Sequence, residues 1–413
     1  MKKAIIFALA LVTLMSISAM ATDTRTMVMG NNNNIMLDDA NVGLYPSRIV
    51  NYPNLATGEM TDLFSGSDVL YNVGVNWKFG EEKPWVLGTY FSTVGDFLPI
   101  DYYGDLMMDW DELGYLRDYF GFYPDAAAKA NALAYMPIAR SFEIIYGRTL
   151  GSYNFGFSFG YNHSSFKSET EGNDFNESFS TYEFGVGITP VAGNWDVAAK
   201  FALGSWTDED SDGEVETKPD GFSDISVMGR LFHKMNNTVT LVPHAGVSFG
   251  SRGVDANEDF YGFADYKLTR TAFELGCGMN YTPVTNVLAV LDFGFQYEKI
   301  KWEDDVTADS IAEGSDAWTN FPYFRLGVEG EVFGWLDARM GVTSEWANFK
   351  VEDAFKAGDI INQTYLGAGF NFNRLHIDTY MDPEILMDGF NFISGSDDAE
   401  DMNFQVSILY EMF

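Results

Sequence analysis

Residues 153–162 read Tyr-Asn-Phe-Gly-Phe-Ser-Phe-Gly-Tyr-Asn, so that Tyr153, Phe155, Phe157, Phe159 and Tyr161 alternate without a break with Asn154, Gly156, Ser158, Gly160 and Asn162. Successive side chains of an extended chain point to opposite faces, so this stretch is a strand with one aromatic face and one small, polar face. The pattern recurs along the chain. Trp195, Val197, Ala199, Phe201 and Leu203 alternate with Asp196, Ala198, Lys200, Ala202 and Gly204. Val69, Tyr71, Val73, Val75, Trp77 and Phe79 form another such stripe, and Phe404, Val406, Ile408, Tyr410 and Met412 the last.

Outward from this stretch, strands are predicted near 69–79, 84–94, 139–149, 152–163, 178–189, 194–204, 221–233, 237–249, 265–281, 286–300, 318–333, 334–350, 361–372, 374–387 and 402–413. Their connections alternate in length. Short turns at Gly80–Lys83, Leu150–Ser152, Pro190–Asn194, Lys234–Asn237, Thr282–Asn286, Phe333–Gly334 and Phe372–Arg374 face long polar loops at 95–138, 164–177, 205–220, 250–264, 301–317, 351–360 and 388–401. Strands of about ten residues joined in this way predict an all-β fold, a transmembrane antiparallel barrel. A soluble sandwich is the alternative, but it would have to hide a whole aromatic face under a second layer, and its strands run shorter.

A chain that starts and ends on one side of a membrane has an even number of strands. The alternation of loops therefore asks for one more, near Pro53–Leu63, which makes sixteen; fourteen is the alternative.

Composition narrows the function. The 413 residues carry 25 Lys plus Arg against 60 Asp plus Glu, a net charge of −35. That balance repels phosphate backbones and argues against nucleic-acid partners. Cys277 stands alone, which excludes an intramolecular disulfide framework and a Cys-rich metal site. Residues 1–21 have a signal-peptide layout: Lys2-Lys3, an apolar run from Ala4 to Ile17, then Ala19-Met20-Ala21. The expectation is an exported chain that begins near Thr22 and resides in a bacterial outer membrane, with that membrane's lipid as its first partner.

Residues 22–52 do not read as a strand. The tract Asn31–Asn34 is polar and turn-prone, and Asp38, Asp39, Ala40, Tyr45, Pro46 and Ile49 follow it. An Asp-Asp-Ala run followed by a Tyr-Pro turn resembles the N-terminus of the FadL/TodX-like outer-membrane family of hydrophobic-compound transporters and of its PorV-like relatives. The resemblance covers about 15 residues and departs at the Asn-Pro-Ala core, which here reads Tyr45-Pro46-Ser47. It implies a hatch over 22–52, pinned by Asp38, Asp39, Tyr45 and Pro46, inside a barrel formed by 53–413. A solvated tail is the alternative reading of that segment. The aromatic C-terminal residue, Phe413, resembles the terminal signature by which bacterial barrels are recognised for assembly.

With the apolar parity facing lipid, the other parity faces the lumen. It carries Glu183, Asp196, Asp224, Glu274, Asp292, Glu298, Glu329, Glu331, Asp337, Glu345 and Asp378, together with Lys200, Arg230, Arg270, Arg325, Arg339 and Arg374. Such charges make either a water-filled passage or ion-paired ladders that brace a plug. An open acidic lumen would favour cations.

The insertion 95–138 mixes many aromatic residues with aspartates, which suits an inward constriction, a cap, a surface that captures a hydrophobic ligand or protein partner, or a self-packed loop. Asp208, Asp210 and Asp212 have the oxygen spacing of a calcium loop, but Pro219 stands at the twelfth position, so an EF-hand fails and a solvated acidic loop is favoured over a weak calcium site. No other cofactor is expected. His163, His233, His244 and His376 lie on separate strands, and no nucleotide loop, HExxH or nucleophile elbow is present, so the chain does not read as an enzyme.

Passive transport of small solutes or hydrophobic compounds is the expected function. The alternative is a structural or docking barrel that binds a protein partner or forms a surface layer through its loops; a homo-oligomer is a further possible partnership.

Overall fold

The computed structural model describes residues 23–61, 70–81, 84–94, 139–170, 173–209, 215–218, 222–256, 265–305, 314–351, 355–381, 383 and 404–412. The leader expected over 1–21, the insertion 95–138, the acidic loop 388–401, Asp210, Asp212 and Phe413 lie outside the described residues.

The chain is a closed antiparallel barrel of sixteen strands. In chain order these are β1 (Leu55–Thr61), β2 (Leu70–Phe79), β3 (Trp85–Val94), β4 (Ala139–Leu150), β5 (Tyr153–Thr170), β6 (Asn173–Pro190) and β7 (Trp195–Glu209). β8 runs in three pieces, Val215–Lys218, Phe222–Leu231 and His233–Lys234. There follow β9 (Val239–Ala256), β10 (Asp265–Val284), β11 (Val287–Asp305), β12 (Gly314–Phe333), β13 (Leu336–Val351), β14 (Phe355–Phe372), β15 (Leu375–Met381) and β16 (Phe404–Glu411). Each strand pairs with its sequence neighbours, and β1 closes the ring on β16, with Leu55 opposite Glu411 and Met60 opposite Val406. Closure leaves no unpaired edge, which is what a sheet needs to cross lipid.

Burial follows the period-two alternation. Phe157, Phe184, Val197 and Phe201 are exposed on the outer face, while Ser158, Glu183, Asp196 and Lys200 are buried on the inner one. At the short-turn end the outer face carries stacked rings: Phe79 on Trp85 at 4.3 Å, and Trp335 against Phe333 and Phe372. Rings of this kind sit at the membrane–water boundary of outer-membrane barrels. The fold and its surface are those of a bacterial outer-membrane protein.

One expectation needs correction. Stretches read as loops continue as strand: β5 reaches Thr170 and β6 begins at Asn173, so most of 164–177 is ladder, and β9, β11, β12, β13 and β14 also extend into the expected loops 250–264, 301–317 and 351–360. Above the membrane both faces of a hairpin are polar, so the hydrophobic alternation stops while the backbone ladder does not need it. The strand read over 374–387 is described from Leu375 to Met381, and of its remainder 382 and 384–387 lie outside the described residues.

Candidate functional site: a plugged lumen

Asp23 to Tyr52 forms two short helices, α1 (Thr24–Val28) and α2 (Asn41–Leu44), and a 3-10 turn over Pro46–Asn51. None would persist alone at this length. The 3-10 turn touches β3, β4, β5 and β6, whereas α1 touches β13, β14, β15 and β16. Between them, Met29, Ile35 and Met36 pack on Phe232, Val242 and Val290. A segment that meets strands on opposite sides of a closed ring lies within the ring. It is a plug.

Among the described residues, apolar contact holds it in three small patches rather than one core. Val42 and Ile49 meet Val86, Tyr90 and Ile145, and Val28 meets Tyr365 and Tyr380 at the far end. The wall makes room by lacking side chains. A Cβ on Gly156 would stand 2.1 Å from the Pro46 carbonyl carbon and 2.2 Å from the Ser47 nitrogen, and one on Gly341 would stand 2.2 Å from the Val28 oxygen.

Polar contacts fix its position. Arg48 grips Asp196 through Nε and Nη2, both at 2.8 Å. Asp196 is wholly buried and also accepts from Arg230 Nε at 2.7 Å and from Thr189 Oγ1 at 2.6 Å. Arg230 spends its remaining donors on the plug: Nη1 on the carbonyls of Asn33, Asn34 and Met36, and Nη2 on Asn41 Oδ1. Its guanidinium also stacks over Tyr45 at 4.4 Å. The start of the segment is held in the same way. Arg25 binds Glu329 through Nε and Nη2 and Asp38 through Nη1, and Glu329 accepts from Arg339, which pairs with Asp378. Glu59 of β1 accepts from the backbone nitrogens of Asp23 and Thr24 and from Gln405 of β16, so the plug is anchored at the seam where the barrel closes.

Burial dominates the plug's proton affinities. It pushes Asp23 up to about 8, helped by the negative charges of Glu59 and Asp38, and it pushes the Tyr45 hydroxyl up to about 12. Burial opposes the charge on Arg25, but Glu329 and Asp38 outweigh it and hold the guanidinium well above its ordinary range.

Of the charged residues read from the alternation, Asp196, Arg230, Glu329, Arg339, Asp378 and Glu274 belong to this docking network. Glu274 accepts from Asn34 of the plug and from Tyr323, which also reaches Asp292; His244 Nε2 lies 3.0 Å from Asp292. A second set forms rungs on the wall itself: Lys200 with Glu183 at 2.8 Å, Arg270 with Glu298 at 3.1 Å and with Asp224 at 3.6 Å, and Arg325 with Glu345 at 3.4 Å. Asp337 accepts from Asn371. Glu331 and Arg374 are exposed instead of facing the lumen, because they lie at the turn end, past the last covered layer. Of the hatch residues, Asp38 is an Arg25 partner, Tyr45 lies under Arg230, Pro46 abuts Gly156, and Asp39 is buried. Asp208 ends in β7, and its companions Asp210 and Asp212 are outside the described residues.

Sequence reasoning missed Arg25, Arg48 and Glu59. For the first two a signal existed, since they are the only basic residues between 23 and 52 and they face an acid-rich wall.

No family model matches the chain, and no curated protein matches it. Solved structures do. TodX, the toluene transporter of Pseudomonas putida, is similar at 9% identity and a TM-score of 0.39, over 96% of this chain and 98% of that one. CdiB from Acinetobacter baumannii is similar at 9% identity and a TM-score of 0.43, over 86% of this chain and 59% of that one. The alcaligin receptor FauA from Bordetella pertussis gives 9% identity and 0.40, over 79% and 60%. The chain thus spans only about three fifths of CdiB and FauA. These are likenesses of one barrel to another.

Proposed function

We propose that the chain is a passive outer-membrane transporter for small solutes, closed at rest by its N-terminal plug. One observation carries this reading: the plug is held by a set of ion pairs and hydrogen bonds to a polar wall, the buried Arg48–Asp196 pair among them, and its apolar contacts among the described residues fall in separate patches. A barrel built only to dock partners or to stiffen a surface could fill its interior from its own strands. A separate segment seated on charged groups is instead suited to leaving, because water can replace each polar contact it gives up. Carboxylates outnumber cations among the buried charged residues of the strands. The unplugged lumen would therefore pass cations and neutral polar solutes ahead of anions. Catalysis has no part in this reading.

Liposome swelling tests it. Vesicles bearing the intact protein should swell slowly in isotonic arabinose, and vesicles bearing the Arg25→Ala, Arg48→Ala double variant several-fold faster. Equal, negligible swelling from both, with the plug of the double variant shown to be displaced, would contradict transport.

A further inference from the structure

We propose that the outer face of β11, β12 and β13, just above the apolar belt at the long-loop end, binds the phosphate groups of anionic glycolipid in the outer leaflet through Lys299, Lys301 and Lys350. The observation is a group of cations at one height on neighbouring strands, in a chain whose net charge is −35. Lys299 stands opposite Ala317, and Ala317 stands opposite Lys350, so the two lysines lie two strands apart at one level. Lys301 follows Lys299 on the same parity of β11, and Lys356 of β14 holds the register position opposite Lys350.

Parity turns the three side chains outward. On β11 Asp292 is buried inside while Leu291 and Phe293 are exposed outside, and the ladder to β10 runs without a shift from Leu291 to Asp305, which puts Lys299 and Lys301 on the outer face. On β13 Trp346 is exposed and Ala347 is buried, and Lys350 shares the parity of Trp346. Lys301 and Lys350 are themselves exposed and Lys299 is half-buried. No ion pair joins any of the three to another described residue.

Depth follows from strand geometry. Trp335 belongs to the stacked rings of the turn end. At about 3.3 Å per residue and a tilt of about 40°, the stretch from Trp335 to Trp346 covers roughly 28 Å along the barrel axis, close to the height of a lipid-facing band. Lys350 then lies roughly 10 Å above Trp346, and Lys299 roughly 5 Å above Tyr297. That is headgroup depth, where an outward-facing lysine costs little and can meet lipid phosphate. The long loops of bacterial barrels face outside, so the leaflet is the outer one.

Charge selects the occupant. Like charges in register on one face of a ladder repel, and an anion beside them relieves it. An ammonium is a point charge on a long stem, and lysines about 10 Å apart suit several headgroup phosphates rather than one enclosed ion. A second copy of this chain fits poorly, because a two-fold contact through this face would set lysine against lysine and one strongly acidic molecule against another. The surface rests on the barrel's place in the outer membrane and not on transport, so the two readings fail independently.

Native mass spectrometry of the purified full-length protein in detergent tests it, with bisphosphorylated lipid A and the same lipid freed of phosphate as probes. Wild type should carry several-fold more of the phosphorylated lipid, and the preference should shrink as ammonium acetate is raised. The triple variant Lys299→Gln, Lys301→Gln, Lys350→Gln should lose the preference. A charge-matched triple variant at the exposed turn end, Lys78→Gln, Lys234→Gln, Arg374→Gln, should keep it. Should the first triple variant fail to fold, Lys350→Gln alone should still lower the preference. Equal retention in the two triple variants, equal binding of the two lipids, or saturable binding of inorganic phosphate in place of lipid overturns the proposal. So does a wild-type dimer that the lysine variant converts to monomer without any lipid preference, which would assign the face to a second copy.

Discussion

The guanidinium of Arg48 and the carboxylate of Asp196 meet fork to fork, 2.8 Å on each arm, although 148 residues separate them and both are buried. Asp196 is shared with Arg230, so one carboxylate serves a cation from the plug and a cation from the wall. The surplus positive charge is met by three plug carbonyls on Arg230 Nη1 and by the dipole of Asn41. Docking and wall are thereby parts of one network, and its members are unequal.

Asp196 should be the costlier loss. Asp196→Ala leaves two buried guanidinium groups facing each other, which should destabilise the docked plug by about 3–5 kcal/mol. Arg48→Ala leaves Asp196 with Arg230 and Thr189 and should cost about 2 kcal/mol. Urea titration of a fluorophore at position 37, in a Leu37→Cys, Cys277→Ser background, reads plug release apart from barrel unfolding; the reverse ranking would break the network account.

Gly156 offers a steric test without charge. An added Cβ would meet the plug backbone at Pro46 and Ser47, which has no rotamer by which to escape. Gly156→Ala should therefore displace the 3-10 turn and raise the release probe's signal in buffer alone, while the barrel keeps its heat-resistant mobility on gels. An undisturbed plug would mean that the turn is not seated where Gly156 places it.

The fold was legible because period-two alternation is local: each neighbour in sequence tells which face Phe157 or Asp196 takes. Strand lengths were not, since Ser164 to Thr170 extends β5 with no apolar stripe to mark it. Plug docking was partly legible. Arg25 and Arg48 were visible as lone cations, but their pairing with Glu329 and Asp196 depends on the ring closing, and no spacing encodes that.

Proton linkage gives a third test. Asp23 in the released chain titrates near 3.8 and in the docked plug near 8, so between those values the docked state keeps a proton that the released state has lost. The contribution of Asp23 to docking is then full below about pH 4 and is lost as pH rises through about 8. The urea midpoint for plug release should fall between pH 5 and pH 9, and Asp23→Asn should flatten the dependence. A wild-type midpoint that rises over this range would contradict the buried, protonated Asp23.

The central claim is that residues 23–52 seal a polar lumen, and single-channel conductance in planar bilayers under a KCl gradient tests it most directly. The intact protein should be silent or open only in brief events, whereas the protein lacking the plug should give stable, cation-preferring steps. Stable conductance from the intact protein, or silence from a correctly folded barrel without its plug, would contradict the account.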